Sequence, residues 1–314
     1  MTPAISVAGL SRLYGGQRAI DNVTFDIAPG SITGLLGRNG AGKTTLLRIL
    51  AGHEFASAGR VTVLGASPVT DEHLLRRMVF VREDQRYPQY GGRVAGFSVR
   101  QAVRAASWFY PNWDAGLAEE LLDAFGLPPD RGVRRLSRGM RSALGIVIGM
   151  AARAEVTLLD EPYAGLDPVA RQVFYDRLLA DYSEHPRTVL LSTHLIDEAA
   201  GLFERVLVID RGAITVDAAA DDVRGAATSI SGPAISVTEF TAGRTVWDRR
   251  QIGSQVSAVV AGALDDTDRA RAAALHLRLE PLTLQQVVVH TASVSPASEP
   301  SDTRERTSSW TGTF

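Results

Sequence analysis

The chain has 314 residues, no cysteine, and 33 basic against 35 acidic side chains for a formal charge of -2. That is long enough for one large domain with a smaller appendage, excludes disulfide and thiolate chemistry, and removes any global electrostatic case for nucleic acid. The longest strongly apolar stretch, Ser142 to Ala152, falls well short of the roughly 20 residues of a membrane span; with no basic leader in the opening MTPAISVAGL, any membrane role requires another chain to do the spanning.

In chain order, Ser31 to Leu36 reads as a buried strand, and Lys43 to Ala51 as a helix with Leu46, Leu47, Ile49 and Leu50 at helical spacing. Between them GRNGAGKT matches G-x-x-x-x-G-K-[ST] in the strand-loop-helix context that makes the motif credible. Gly37, Gly40 and Gly42 let the backbone curl so that successive N–H groups face a phosphate, and the following helix adds its positive end. Lys43 reaches the β- and γ-phosphates, while Thr44 offers its hydroxyl to Mg2+. Lys43 is also the only lysine in the chain, every other basic residue being arginine. Such a lysine marks a place where a compact ammonium is required and a forked guanidinium is too large. These residues predict a nucleoside triphosphate site.

Met78 to Val81 reads as a further strand, and SVRQAVRAASWFYPNWD opens with helical periodicity, Ala102, Val103 and Ala106 sharing a side. Trp108, Phe109, Tyr110 and Trp113 then cluster around Pro111. Such a cluster is either core for a small subdomain or a groove that receives a partner helix. LSRGM, Leu136 to Met140, precedes the apolar run SALGIVIGMAA; alone, its serine is only a helix N-cap.

AEVTLLDEPYAGLDP holds a second apolar strand, Val156 to Leu159, that delivers Asp160 and Glu161 at its carboxyl end. Beside a phosphate loop, Asp160 suits the Mg2+ shell through water, and Glu161 suits a general base. A third strand, Thr188 to Ser192, runs into Thr193 and His194. Spacing alone leaves His194 open between a structural and a catalytic role. Val206 to Asp217 reads as a hairpin turning at Arg211 and Gly212. Beyond it, residues 218 to 290 mix alanine-rich helices such as DRARAAALHLRL with apolar strands ISVTEF and VSAVVAGAL, which predicts a small α+β accessory domain. Residues 291 to 314 are rich in Ser, Thr, Pro and charge and read as a disordered tail.

These pieces, in this order, resemble the ATP-binding subunit of ABC transporters over about Ile5 to Thr215. GRNGAGKTT matches the phosphate loop, VTLLDEP the acidic strand, AGLD at Ala164 to Asp167 the loop that crosses the dimer interface, and LSRGM the signature motif, usually LSGGQ. FYPNWD, with a basic residue third and Met fifth in the signature, is similar to an exporter-type subset that includes subunits of bacterial acetoin or antibiotic-responsive systems. The resemblance implies an α/β fold: a P-loop NTPase core of ABC ATPase type over residues 1–217, with an antiparallel β subdomain and a helical signature subdomain at about 97–150.

It further implies ATP and Mg2+ as ligands. Nucleotide contacts fall on Gly37, Asn39, Gly40, Ala41, Gly42, Lys43, Thr44 and Thr45, with Tyr14 stacking on adenine and Ser137 and Gly139 closing over ATP held by a second domain. Glu161, His194 as the switch histidine, and Lys43 are the catalytic set; Thr44, Asp160 and Glu83 are the metal set, with Gln85 an alternative to Glu83. The implied partners are a second nucleotide-binding domain, as homodimer or homologous heterodimer, and a permease with transmembrane helices, through which the chain, itself cytoplasmic, is attached to the inner face of the cell membrane. Arg138 and Met140 depart from the usual signature, which keeps a soluble nucleotide-dependent regulatory or assembly switch as the rival reading.

Overall fold

The computed structural model describes residues 2–82 and 97–294. Ile5–Tyr14 (β1) and Gln17–Ile27 (β2) form an antiparallel hairpin. Ile32–Leu36 (β3), buried at every residue, leads through the glycine-rich loop into Lys43–Leu50 (α1). Ala58–Val63 (β4) returns to the free edge of β1 and completes a three-stranded sheet. Leu74–Arg77 (α2) then gives way to Met78–Arg82 (β5).

Val99–Phe109 (α3) starts at a capping box between Ser98 and Gln101. Ala115–Ala124 (α4) is capped by Asp114, and Arg138–Ala151 (α5) by Ser137, whose hydroxyl accepts from the Met140 N–H. From Ser142 to Ala151 every residue of α5 is buried, which explains an apolar run too short to span a membrane. No described helix is long and apolar enough to do so.

Val156–Asp160 (β6), Pro168–Glu184 (α6), Thr188–Thr193 (β7), Ile196–Ala199 (α7), Arg205–Asp210 (β8) and Ala213–Ala219 (β9) complete the central layer. The sheet runs β5-β6-β7-β3-β8-β9, parallel except for the β8–β9 hairpin. The inner strands β3, β6 and β7 are buried at every residue and mostly apolar because both faces are covered. Leu35, Leu158, Leu190 and Leu207 face α1 and the antiparallel sheet, while Leu36, Leu159, Leu191 and Val208 face α5 and α6. The carboxyl ends of β3, β6 and β7 therefore open on one edge, where ligands of open α/β sheets bind.

Ala220–Arg224 (α8) leads into a separate layer: Ala227–Pro233 (β10), Ala234–Thr241 (α9), Val246–Ile252 (β11), Gln255–Ala261 (β12), Asp266–Ala274 (α10) and Arg278–Pro281 (β13). The order β11-β12-β10-β13, antiparallel throughout, with a helix after the first and third strands, is a split β-α-β-β-α-β unit. It has its own core of Ile230, Val237, Phe240, Val256, Ala258, Val260 and Leu277. Leu284–Val294 (α11) then packs Leu284, Val287 and Val288 into the same cluster as Ile196 and Ala199 of α7.

One expectation fails here. ISVTEF, Ile235 to Phe240, lies within helix α9 and is not a strand. Its β-branched residues favour extended chain locally, but Val237, Phe240 and Thr241 recur at helical spacing and are buried, while Ile235 is 83 % exposed. Burial against the sheet overrides propensity. VSAVVA lies in strand β12 and DRARAAA in helix α10 as the pattern predicts. The last helix extends to Val294, into the segment read as a tail; residues 295–314 lie outside the described residues.

Candidate functional site

At the carboxyl end of β3 the backbone folds tightly against its neighbours. A Cβ on Gly37 would sit 2.4 Å from the Ile209 carbonyl oxygen, so only glycine allows that approach. Gly42 has φ of +115° immediately before α1 and faces the Ala19 carbonyl at 2.7 Å from where its Cβ would be. Lys43 follows as the first residue of the helix and is only 5 % exposed. Its Nζ donates to the carbonyls of Gly37 at 2.8 Å and Arg38 at 3.3 Å, and lies 3.3 Å from Glu161 Oε1. This nest of backbone oxygens suits a compact ammonium.

Over the loop lies a cavity of about 560 Å³, bordered by Asn39, Gly40, Gly42, Lys43, Thr44, Thr45, Asp160 and Glu161. Gln17, Arg18 and Ala19 from β2 and Arg211 and Gly212 from the β8–β9 turn also border it. These two walls were not anticipated from sequence, since nothing local in either segment announces a ligand. The glycine cradle, the cationic Nζ and the helix start fit a chain of phosphates.

Asp160 ends β6 buried, and its Oδ1 accepts from the Ser192 hydroxyl at 2.7 Å. Burial pushes the Asp160 carboxyl above the usual range, against hydrogen bonds from Ser192 and Thr44 that pull it down. Thr44 and Asp160, both predicted in the metal set, are thus in contact. Among the described residues no three His, Asp or Glu side chains gather closely enough to hold a metal alone. A cation beside Thr44 and Asp160 would share its shell with phosphate oxygens and water, as Mg2+ commonly does, so the residues fit that ion.

Glu161 sits at φ of +44°, a conformation few non-glycine residues adopt. Its N–H is held by Ser192, by the hydroxyl at 3.1 Å and the carbonyl at 3.3 Å. This turn swings the carboxylate off the strand so that one oxygen meets Lys43 and the other meets His194 Nδ1 at 3.0 Å. The His194 main chain is fixed in turn: its N–H donates to the Tyr163 hydroxyl at 3.3 Å, and that hydroxyl contacts Thr193 Oγ1 at 2.5 Å. Burial pushes the Tyr163 phenol up to about 12, so it stays protonated. Sequence reasoning missed Ser192 and Tyr163 as supports of Glu161 and His194; Ser192 is two residues before His194, the only available signal.

Not every candidate joins this constellation. Ser137 and Gly139 do not border the phosphate cavity. A Cβ on Gly139 would stand 2.4 Å from the Gly165 carbonyl oxygen, and the Ser142 hydroxyl donates to the Ala164 carbonyl at 2.6 Å, so the start of α5 is seated on the Ala164–Asp167 loop. Tyr14 ends β1 with its ring beneath the Arg12 guanidinium, 4.5 Å from the centroid, and its hydroxyl on Glu54; it too lies off the cavity border. Ala41 is buried beneath the loop. Glu83 and Gln85 lie outside the described residues. The aromatic cluster divides: Trp108 is 72 % exposed beneath Arg104, Phe109 is also exposed, and Tyr110 and Trp113 pack against the core.

The family model described as ABC transporter matches residues 20–164. Nod factor export ATP-binding protein I of Cupriavidus metallidurans is 35 % identical over 68 % of this chain and 70 % of its own length. Daunorubicin/doxorubicin resistance ATP-binding protein DrrA of Streptomyces peucetius is 34 % identical over 69 % of this chain and 65 % of its own. The chain spans 62 to 65 % of the length of several of the relatives it matches. A solved ATP-binding subunit of an ABC transporter superposes with a TM-score of 0.60 at 24 % identity, covering 71 % of this chain and 92 % of that one.

Proposed function

This chain belongs to the ABC transporter family, and we propose that it hydrolyses ATP, as one of two head-to-tail nucleotide-binding domains, to drive export through a separate membrane-spanning permease. The observation that carries this reading is the division of the motifs: Lys43, Asp160 and Glu161 border one cavity and His194 is joined to it through the Glu161 carboxylate, whereas Ser137 and Gly139 stand outside it. An exposed serine at the start of a helix whose following glycine admits close backbone approach suits a phosphate supplied by a second copy or a homologous domain. The relatives named for export and drug resistance support the transport reading, and exposed Trp108 and Phe109 offer a face to a permease. The chain then works at the cytoplasmic face of the membrane.

In this account the loop amides and Lys43 hold the β- and γ-phosphates of the substrate, and Tyr14 turns from Glu54 to the adenine ring. Bound Mg2+, held by Thr44 and water fixed by Asp160, supplies charge neutralisation on the phosphate oxygens. Glu161 takes a proton from the attacking water, and His194, whose ring is already on the Glu161 carboxylate, fixes that carboxylate and the γ-phosphate. Loss of the γ-phosphate removes the anion that bridges the phosphate loop of one domain and Ser137 of the other, and the pair opens.

The test is Glu161→Gln, which keeps the size of the side chain and loses the base. With Mg-ATP the variant should elute as a dimer and turn over no ATP; without nucleotide it should elute as a monomer. A variant that binds ATP yet stays monomeric at high concentration rejects the head-to-tail pair and favours a single-domain nucleotide switch.

A further inference from the structure

The C-terminal third carries no nucleotide motif, yet its last helix reaches the switch segment. His194 and Leu195 connect β7 to the single turn α7, and this turn is tied on three sides. Inward, the His194 N–H donates to Tyr163 and the Leu195 N–H to Thr193 Oγ1 at 2.9 Å. Toward α6, Glu198 receives Arg171 Nε at 2.8 Å and Nη2 at 2.9 Å, while the same guanidinium donates to the Leu166 carbonyl at 3.2 Å. Toward the C-terminal unit, Asp197 Oδ2 accepts from the Thr283 hydroxyl at 3.2 Å and Oδ1 from the Gln285 N–H at 3.3 Å.

Thr283 is itself the cap of α11. Its N–H donates to Gln286 Oε1 at 2.9 Å and its Oγ1 accepts from the Gln286 N–H at 3.3 Å, a capping box. The Asp197 carboxylate completes the same helix start, where a negative charge is favoured. A second cavity of about 560 Å³ lies beside the switch, bordered by Gly37, His194 and Ile196 and by Gln285, Val288 and Val289 of α11. Leu284, Val287 and Val288 of α11 pack in one cluster with Ile196 and Ala199 of α7, and beside that apolar contact the two bonds to Asp197 tie the start of α7 to the start of α11.

The geometry points to Asp197 as a positioning residue through which the C-terminal unit holds the switch histidine against Glu161. The inference rests on the hydrolytic reading above and extends it by giving residues 227–294 a part in turnover. Asp197 does not border the phosphate cavity; it acts by fixing the turn that begins two residues after His194. The split β-α-β-β-α-β unit is connected to this point by β13, which ends at Pro281, two residues before the cap. A displacement of that unit is thereby transmitted to the start of α7.

The experiment uses the full chain. Asp197→Ala removes both bonds, whereas Asp197→Asn keeps a carbonyl oxygen for the Gln285 N–H and presents an amide to the Thr283 hydroxyl, which accepts as readily as it donates. For Asp197→Ala, kcat should fall about 5- to 20-fold with KM for ATP within about twofold, the split expected when geometry in the transition state is lost and substrate binding is kept. Asp197→Asn should restore kcat to within about twofold of wild type. Unchanged kcat in Asp197→Ala, or an equal loss in both variants, overturns the proposal. Amide hydrogen exchange over residues 194–199 supplies a readout independent of turnover: it should be faster in Asp197→Ala than in wild type or Asp197→Asn. Equal exchange in all three overturns the latch, whereas a wild type that hydrolyses no ATP but shows the exchange difference overturns only the hydrolytic reading.

Discussion

Replacing Gly139 by alanine separates the two parts that this residue plays. The new Cβ would stand 2.4 Å from the Gly165 carbonyl oxygen, where ordinary contact begins at 3.4 Å. The start of α5 or the Ala164–Asp167 loop must therefore move by about 1 Å, because the closest atom is backbone and has no rotamer to escape into. Overpacking of this kind costs about 1 to 3 kcal/mol, and alanine returns about 0.5 to 1 kcal/mol in helix propensity. The net loss of stability is thus modest. In the proposed head-to-tail pair turnover is far more sensitive, since Ser137 lies two residues away and there meets a phosphate held by the other domain; a misplacement of 1 Å costs on the order of 100-fold.

The assay pairs steady-state ATP hydrolysis with nucleotide binding at concentrations where the chain is monomeric. Gly139→Ala should bind ATP as wild type does and turn over about 100-fold more slowly. Wild-type turnover in a folded variant would show that the loop yields freely and that the close approach to Gly165 has no role. Loss of monomer binding would place Gly139 on its own chain's nucleotide and refute the division of the site.

Lys43→Ala leaves the Gly37 and Arg38 carbonyls without their ammonium and Glu161 without its cation; calorimetric titration should find ATP affinity reduced at least about tenfold, and unaltered affinity would contradict the phosphate assignment. Asp160→Asn should melt higher than wild type at pH 7 while losing Mg2+-dependent turnover. Burial raises the Asp160 carboxyl in the folded chain, so its ionised form costs stability in full above that raised value, and the advantage of asparagine should shrink as pH falls through the raised value and be gone below the ordinary carboxylate range. An advantage that persists undiminished at low pH would refute burial as its cause. Phe240→Ala removes a fully buried ring from the small C-terminal core, at about 3 to 5 kcal/mol; calorimetry should then resolve a separate lower-temperature transition, and a single unshifted transition would show that this unit does not melt independently.

The phosphate loop was legible because its chemistry is local. Gly37, Gly42 and Lys43 lie within seven residues of one another, and each is required by a backbone approach or a charge that the adjoining strand and helix impose. The strand ends at Asp160 and Thr193 were legible for a related reason: strands buried on both faces read as unbroken apolar runs, so the first polar residue marks the exit. Contacts made across the chain were not. Arg211 reaches the cavity from a turn 168 residues after Lys43, and Ser192 supports Glu161 across the β6–β7 register. The C-terminal unit hid itself twice: α9 carries β-branched residues that propensity assigns to strand, and the antiparallel order β11-β12-β10-β13 is set by long-range pairing that no window of sequence contains. Gly139 was recognised for its motif, whereas its closeness to Gly165 became visible only with both loops in place.

The central claim is a site completed by two domains, and the dependence of turnover on protein concentration tests it most directly. Steady-state hydrolysis by the purified chain, measured over a wide concentration range, should rise more steeply than in proportion to protein and become proportional only once dimers predominate. Specific activity that is substantial and constant down to concentrations at which the chain is monomeric, by the same size-exclusion criterion, would contradict it.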